Sequence, residues 1–322
     1  MPKPRIEVAA GLIRKPDGRL LLAQRPGDKP WSGWWELPGG KIEPGETTLG
    51  ALARELSEEL GIQVTSATRW VTYTHDYPKN TVHLAFCRVS DWVGEPRGLE
   101  GQELRWVDPL APLPVAPLLP ATEPPLRWLR LPDRYLISSI GGRAGLPAFL
   151  DKLRQAFVRG VRLIQFREPG WEGAQAHDGL ARVLEECHAH GARCLVNSCH
   201  PAAWRAQADG VHWRARDARL EAAKCTAPRD AARPGFLTAV SAHGADDLAA
   251  ARALGADFIV LGHVLATTSH PGSPGMGWTR FAQLCENAEL PVFAIGGQSP
   301  ATMATATHHG AHGIAGIRCL AS

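Results

Sequence analysis

Residues 40–62 read GKIEPGETTLGALARELSEELGI, and the spacing within them predicts a helix from about Thr48 to Leu60. Leu49, Leu52, Ala53, Leu56 and Leu60 recur at helical intervals and mark one apolar stripe. Glu55, Glu58 and Glu59 stand at i, i+3 and i+4, which gathers three carboxylates on another face. Thr47 or Thr48 can cap the start, and Gly61 suits the left-handed position that ends a helix. Three glutamates side by side repel one another, and Arg54 is the only base between Thr47 and Ile62. On their own they would read as a solvated acidic face.

The loop before the helix changes that reading. Residues 37–46, LPGGKIEPGE, are rich in turn formers and deliver a fourth carboxylate, Glu46, to the helix start. A hard divalent cation held by one or two carboxylates and by substrate phosphates relieves such a cluster, and Mg²⁺ suits it.

The stretch fits the pattern G-x5-E-x7-R-E-U-x-E-E-x-G-U, where U is bulky and apolar, with Gly40, Glu46, Arg54, Glu55, Leu56, Glu58, Glu59, Gly61 and Ile62 filling its positions. At about one chance in 20 per position, seven fixed identities coincide on the order of once in 10⁹ starts. This pattern is the signature of the Nudix hydrolases, and residues 1–131 resemble their MutT branch. Further likeness lies in Arg25 after the second predicted strand, in residues 94–96 (GEP) and 98–102 (GLEGQ), and in residues 119–124 (LPATEP). The resemblance implies an α/β/α sandwich that hydrolyses 8-oxo-dGTP or related nucleoside triphosphates to the monophosphate and pyrophosphate, sanitising the nucleotide pool for DNA replication and repair. It implies that Glu55, Glu58, Glu59 and Glu100, with the Gly40 backbone, hold or serve Mg²⁺ (or Mn²⁺). Arg54 would orient a carboxylate, and Arg25 and Gly39 would border the nucleotide. The branch's base-reading asparagine falls at Thr122 and an arginine over the nucleotide falls at Asn80. A lone hydroxyl discriminates less than an amide, which leaves room for another diphosphate, including a thiamine-type one.

Elsewhere in this half, Ile6 to Ile13 and Leu20 to Ala23 read as strands joined in a hairpin at Pro16-Asp17-Gly18. Arg69 to His75 and Val82 to Val89 read as strands around the turn at residues 77–80, with Trp106 and Val107 in a further short one. Of Trp31, Trp34 and Trp35, at least two are expected in a core. Proline-dense residues 111–133 run through a short helix near Pro125 to Leu131, and a stiff connection at Leu131 to Asp133 separates two domains.

From Arg134 onward eight short apolar runs alternate with helical stretches: 135–139, 162–166, 193–197, 210–213, 237–241, 257–261, 291–295 and 312–317. Eight β-then-α units over residues 134–322 predict a compact TIM (β/α)8 barrel, with an open doubly wound sheet as the alternative. The carboxyl ends of these strands carry Gln165 and Arg167, Asn197, His212, Ser241 and His243, His263, and Gly296 with Gly297. Backbone amides of the last pair, with those near Gly316, suit a phosphate.

The pieces IQFRE, ADGVH, VSAHG, GADFIVLGHV and VFAIGG resemble the thiamine phosphate synthase and TenI superfamily. Against a synthase, Pro169 and His270 stand where that enzyme has lysines and Ser198 where it has a metal aspartate, although Asp217 can fill the second metal position. Gly262-His263-Val264 instead resembles TenI, the thiazole tautomerase, and implies that His263 is a general acid/base, a role suited to imidazole. A thiazole phosphate is the implied ligand. A thiamine-pathway enzyme, or a barrel that binds ligand without catalysis, are the alternatives.

Composition agrees with two ordinary globular domains: 322 residues, 21% charged, 44% hydrophobic, net charge +3. That balance gives no footprint for duplex nucleic acid. No apolar run approaches a membrane span or a signal peptide, so a cytoplasmic protein is expected. Seven cysteines in irregular spacing, Cys87, Cys187, Cys194, Cys199, Cys225, Cys285 and Cys319, read as reduced thiols. Cys187, His188, His190, Cys194 and Cys199 contain no C-x2-C pair and are disfavoured as a zinc site.

Overall fold

The computed structural model describes residues 3–27, 30–171, 173–224, 234–267, 272–318 and 320; Cys225, His270 and Cys319 lie outside the described residues. Chain contacts divide it into two units, residues 1–131 and 132–322.

In the first unit β1 (Arg5–Ile13), β2 (Leu20–Gln24), β3 (Trp35–Glu36) and β4 (Gly39–Lys41) precede α1 (Thr48–Leu60). β5 (Gln63–Asp76), β6 (Thr81–Val93), β7 (Leu104–Val107) and the short α2 (Glu123–Trp128) follow. A mixed sheet runs β4-β1-β6-β5 and a smaller antiparallel sheet runs β3-β2-β7. β1 and β6 pair in parallel from Arg5 opposite Thr81 to Ile13 opposite Val89.

Alternation along β6 assigns its two faces. Cys87 and Val89 point to α1 and share a core with Ala9, Ile13, Leu21, Leu52, Leu56 and Leu60. Phe86 points the other way, and its ring meets Trp128 of α2 at 6.3 Å, beside Trp70 and Tyr73. One helix therefore covers each face, which makes the unit an α/β/α sandwich. The fully buried Leu52, Leu56 and Leu60 stabilise this docking by roughly 1.5–3 kcal/mol each.

Helix α1 has the expected limits: Thr47 Oγ1 accepts the Gly50 N–H, and Gly61 is left-handed at φ 67°. Its apolar face differs in detail. Leu49 is 37% exposed while Ala51 is fully buried, and Ala53 is only half-buried. Periodicity fixes a residue's azimuth but not how far along the axis the sheet provides cover. The expected β1–β2 hairpin is also corrected. The turn closes through Gly18 N–H to Lys15 O and Lys15 N–H to Arg19 O, and Arg14 bridges Leu20, but the strands then enter different sheets. Of the three tryptophans only Trp35 is buried; Trp34 is half-buried and Trp31 is 41% exposed.

The second unit is a closed parallel barrel. Its strands are β8 (Arg134–Ile137), β9 (Leu163–Phe166), β10 (Arg193–Asn197), β11 (Gly210–Trp213), β12 (Leu237–Ala242), β13 (Phe258–Gly262), β14 (Val292–Ile295) and β15 (Gly313–Gly316). β15 closes the ring by pairing with β8, which excludes the open sheet. Helices α3 (Leu146–Val158), α4 (Gly173–Ala189), α5 (Ala202–Gln207), α6 (Ala215–Lys224), α7 (Ala245–Ala253), α8 (Gly277–Cys285) and α9 (Met303–His308) lie in the connections.

Both faces of the barrel sheet are buried, so its strands are apolar almost throughout. Leu136, Ile164, Val196, Val240, Leu261 and Ala294 point out into the helical shell. The alternate residues point inward, where the rings of Tyr135, Phe258 and Phe293 meet at 5.0–6.0 Å and fill the interior. The last inward position on each strand opens to the mouth, and the polar residues stand there.

Candidate functional site

In the first unit the acidic cluster is organised by Arg54. Its Nε and Nη2 donate to the two Glu46 carboxylate oxygens at 2.8 and 2.9 Å, and Nη1 reaches Glu55 at 2.9 Å and Glu58 at 3.2 Å. Nη2 also donates to the Lys41 carbonyl at 3.1 Å, which ties the end of β4 to the helix. The five-donor guanidinium fork is what permits these simultaneous contacts. Hydrogen bonds from Arg54, and then from the Glu43 N–H, hold the Glu46 carboxyl down at about 2.

Gly40 is the other half of the arrangement. A Cβ on this residue would lie 2.2 Å from Cδ and Oε2 of Glu55 and 2.5 Å from Oε1. The carboxylate thus lies against bare main chain, in a cradle that any other residue would fill. Gly39 has a separate reason to be glycine: its φ is +141°, and a Cβ would meet the Ala9 carbonyl oxygen at 2.1 Å.

The loop carrying Glu100 is fastened to the end of α1. Arg97 N–H donates to Leu60 O, and Leu99 N–H and Gln102 Nε2 donate to Glu59 O, each at 3.0 Å. Gln102 Oε1 in turn accepts the Glu100 N–H at 2.8 Å. Glu55, Glu58, Glu59 and Glu100 are thereby carried on one helix and one loop stapled to it. Among the described residues no three acids, histidines or cysteines converge into a closed metal cage. The donor set nevertheless fits a hard cation that keeps water and takes phosphate oxygens as ligands. The glycine cradle beneath Glu55 supports that fit.

The residues expected at the nucleotide form a different patch. Arg25 donates from Nη1 to both Glu36 oxygens at 2.6–2.7 Å and from Nε to the Pro30 carbonyl at 2.8 Å. Asn80 closes the β5–β6 turn, accepting the Tyr77 N–H at 2.9 Å. The exposed Trp31 ring lies 6.0 Å from Tyr77 and 4.7 Å from Trp34. Thr122 is 4% exposed, in the turn Pro120–Thr122 that follows the pairing of Trp35 with residues 117–119. Glu36 escaped the sequence reading; a carboxylate 11 residues from its arginine leaves no local signal.

At the barrel mouth a cavity of about 650 Å³ is lined by Gln165, Arg167, Asn197, His212, Ser241, His243, His263, Gly296, Gly297 and Gly316, among others. The polar strand-end residues therefore share one space. His263 Nε2 lies 2.9 Å from Ser273 Oγ, and His243 Nδ1 lies 2.5 Å from the Gly262 carbonyl. Gly296 has φ +94°, and a Cβ there would fall 2.4 Å from the His263 Cβ, so this glycine makes room for the histidine.

Arg214 and Arg318 also line the cavity, and neither was picked out from sequence; a base directly after the strand GVHW was the available signal. Buried Glu168 accepts from Ser138 Oγ and from the N–H groups of Ile140 and Gly141, while Ser138 Oγ accepts the Arg167 N–H. It fixes the loop that presents Arg167.

Asp217, considered as a metal ligand, accepts instead from Arg214 Nε at 2.7 Å and Ser198 Oγ at 2.6 Å. His188 and His190 pair with Asp209 and Glu186, and Cys87, Cys187, Cys194, Cys199 and Cys285 are free thiols. No helix among the described residues is long and apolar enough to cross a membrane.

Residues 4–129 match the family model described as NUDIX domain, and residues 135–320 match that described as Thiamine monophosphate synthase. An 8-oxo-dGTP diphosphatase of Haemophilus influenzae is 43% identical over 34% of this chain and 79% of its own length. A CTP pyrophosphohydrolase of Escherichia coli is 41% identical over 37% of this chain and 87% of its own. A putative thiamine-phosphate synthase 2 of Aquifex aeolicus is 30% identical over 52% of this chain and 88% of its own.

Proposed function

The chain belongs to the Nudix hydrolases through its first unit and to the thiamine monophosphate synthase family through its barrel, and on that premise we propose a two-headed enzyme. The first unit hydrolyses a nucleoside triphosphate to the monophosphate and pyrophosphate, with 8-oxo-dGTP as the preferred substrate. The observation that carries this reading is the Glu55 carboxylate seated in the Gly40 cradle and clamped, with Glu46 and Glu58, by Arg54.

Glu55, Glu58, Glu59 and Glu100, with the Gly40 carbonyl, would hold Mg²⁺, for which Mn²⁺ can substitute. The cation supplies neutralisation of the phosphate oxygens. Arg54 keeps Glu55 and Glu58 in place, and one carboxylate of the cluster takes the proton of the attacking water as the phosphoanhydride bond breaks. Arg25, fixed by Glu36, borders the nucleotide together with Gly39, Asn80 and Thr122.

Relatives named for 8-oxo-dGTP and for CTP make base choice the open variable, and Thr122 and Asn80 are where this chain sets it. Steady-state hydrolysis of 8-oxo-dGTP, dGTP and CTP by the wild type and by Glu58→Gln tests the reading. Absence of divalent-dependent turnover of every one of them would overturn it.

For the barrel we favour a thiazole phosphate ligand, with Gly296 and Gly297 facing the phosphate and His263 moving a proton on the ring. Gln165, Arg167 and Asn197 complete the pocket. The engagement of Asp217 by Arg214 and Ser198, with Pro169 in place of a lysine, argues against synthesis of thiamine phosphate. Isomerisation of a thiazole carboxylate phosphate that disappears in His263→Ala would support catalysis. Binding without turnover would make the barrel a ligand-holding module.

A further inference from the structure

The loop that carries Glu100 also caps the helix that carries the other acids. The final carbonyls of a helix have no partners within it. In α1 those of Leu56 and Ser57 accept the N–H groups of Ile62 and Gly61, at 3.4 and 3.0 Å. Those of Glu59 and Leu60 are met from the loop. Arg97 N–H reaches Leu60 O, while Leu99 N–H and Gln102 Nε2 both reach Glu59 O, each at 3.0 Å.

Gln102 is the side chain among these donors, and its amide has a single workable orientation. The Glu100 N–H can only donate, so it faces Oε1 at 2.8 Å; the Glu59 carbonyl can only accept, so it faces Nε2. One planar amide thereby joins the main chain of Glu100 to the last turn of α1. Arg97 and Leu99 anchor the approach to Glu100, and Gln102 anchors Glu100 itself.

The surroundings hold the amide in place. Gln102 is 9% exposed. A Cβ on Gly98 would collide with the Gln102 carbonyl oxygen, so the loop closes on itself, and Gly101 N–H donates to Gly98 O at 3.2 Å. Leu99 rests on the helix stop, its Cδ1 3.3 Å from where a Gly61 Cβ would stand.

We propose that Gln102 is a positioning residue of the hydrolase site, setting Glu100 against the end of α1 before any ligand arrives. A carboxylate on a loose loop must be ordered at the moment of binding, which costs affinity. Gln102 itself touches neither cation nor substrate. The role of Glu100 rests on the hydrolase reading above, whereas the clasp does not.

Two measurements on the full-length chain test the proposal. Gln102→Met keeps the length of the side chain and removes both hydrogen bonds. Hydrogen exchange without added metal should then run about tenfold faster over residues 97–102, with α1 and the barrel unchanged. Unchanged exchange over this loop overturns the clasp without reference to metal or substrate.

Mn²⁺ binding, followed by the paramagnetic resonance of the free ion, asks whether Gln102 works through Glu100. The site in the first unit is identified by its loss in Glu58→Gln. Gln102→Met and Glu100→Gln should each bind about tenfold more weakly than the wild type. The double variant should be no weaker than Glu100→Gln alone, whereas a general loosening of the fold would multiply the losses to about a hundredfold. That multiplication, or wild-type affinity in either single variant, overturns the positioning role. Gln102→Asn, whose amide is one methylene short of spanning both partners, replaces Gln102→Met if that variant does not fold. If the wild type binds no Mn²⁺ in the first unit, the metal reading of the hydrolase fails and the positioning role falls with it, while the exchange result still decides the clasp.

Discussion

Replacing Gly40 by alanine should separate activity from stability. The added Cβ would stand 2.2 Å from the Glu55 carboxyl, whereas ordinary contact begins at 3.4 Å, so the carboxylate must retreat by about 1.2 Å (3.4 less 2.2). It can do so, because it is the free end of a flexible side chain. The fold loses little more than the contact with Arg54 Nη1 at 2.9 Å, a partly exposed pair worth about 1 kcal/mol or less. A catalytic group displaced by ~1 Å, however, costs on the order of 10²-fold in rate.

Gly39→Ala provides the contrast. There the Cβ meets main-chain atoms, the Ala9 oxygen at 2.1 Å and the Ala10 Cα at 2.9 Å, at a φ of +141° that side chains rarely adopt. Nothing flexible can retreat, and a cost of about 3 kcal/mol or more falls on the β1–β4 pairing. The assay is thermal unfolding alongside steady-state nucleotide hydrolysis for both variants. Gly40→Ala should unfold like the wild type while turning over about a hundredfold more slowly. Turnover within threefold of the wild type, or a loss of stability matching Gly39→Ala, would refute the cradle argument.

Glu58→Gln should reduce divalent-dependent turnover by roughly 10²–10³-fold with an unchanged melting temperature, since the Glu58 side chain is 60% exposed; a parallel fall in melting temperature would indicate a structural role. Arg54→Lys keeps the charge but not the fork that grips Glu46, Glu55 and the Lys41 carbonyl, so kcat should fall by about 10–100-fold with KM little changed. Thr122→Asn should raise the preference for 8-oxo-dGTP over dGTP by about tenfold, read as a ratio of kcat/KM, because the amide both donates and accepts.

The barrel should weaken as pH falls. Burial, and then the nearby Arg167 charge, push the pKa of folded His212 down to about 3, against about 6.5 in the unfolded chain. Between those values the unfolded chain holds the extra proton, so stability drops with falling pH by up to about 1.4 kcal/mol per unit. Urea unfolding at pH 7, 6, 5 and 4 should show that limb in the wild type and a flatter one in His212→Gln.

Whatever depends on residues close together in the chain was legible without the fold. The limits of α1, its Thr47 cap and Gly61 stop, and the carboxylates of Glu55, Glu58 and Glu59 follow from helical spacing and local hydrogen bonding. The barrel strands were legible for a similar reason, since a parallel sheet buried on both faces leaves short apolar runs between helices.

Tertiary structure decided what couples distant segments. It sent β1 and β2 into different sheets despite a hairpin turn between them, and turned Leu49 to solvent where cover ran out. It paired Arg25 with Glu36, and it laid Glu55 on the Gly40 main chain, 15 residues away. It also joined Asn197, Gln165, Tyr135, His212 and Ser241, one from each of five strands, into a single hydrogen-bonded series. Local sequence sets dihedral preferences and faces, whereas which donor meets which acceptor across a closed barrel depends on strand register and closure, which are properties of the whole chain.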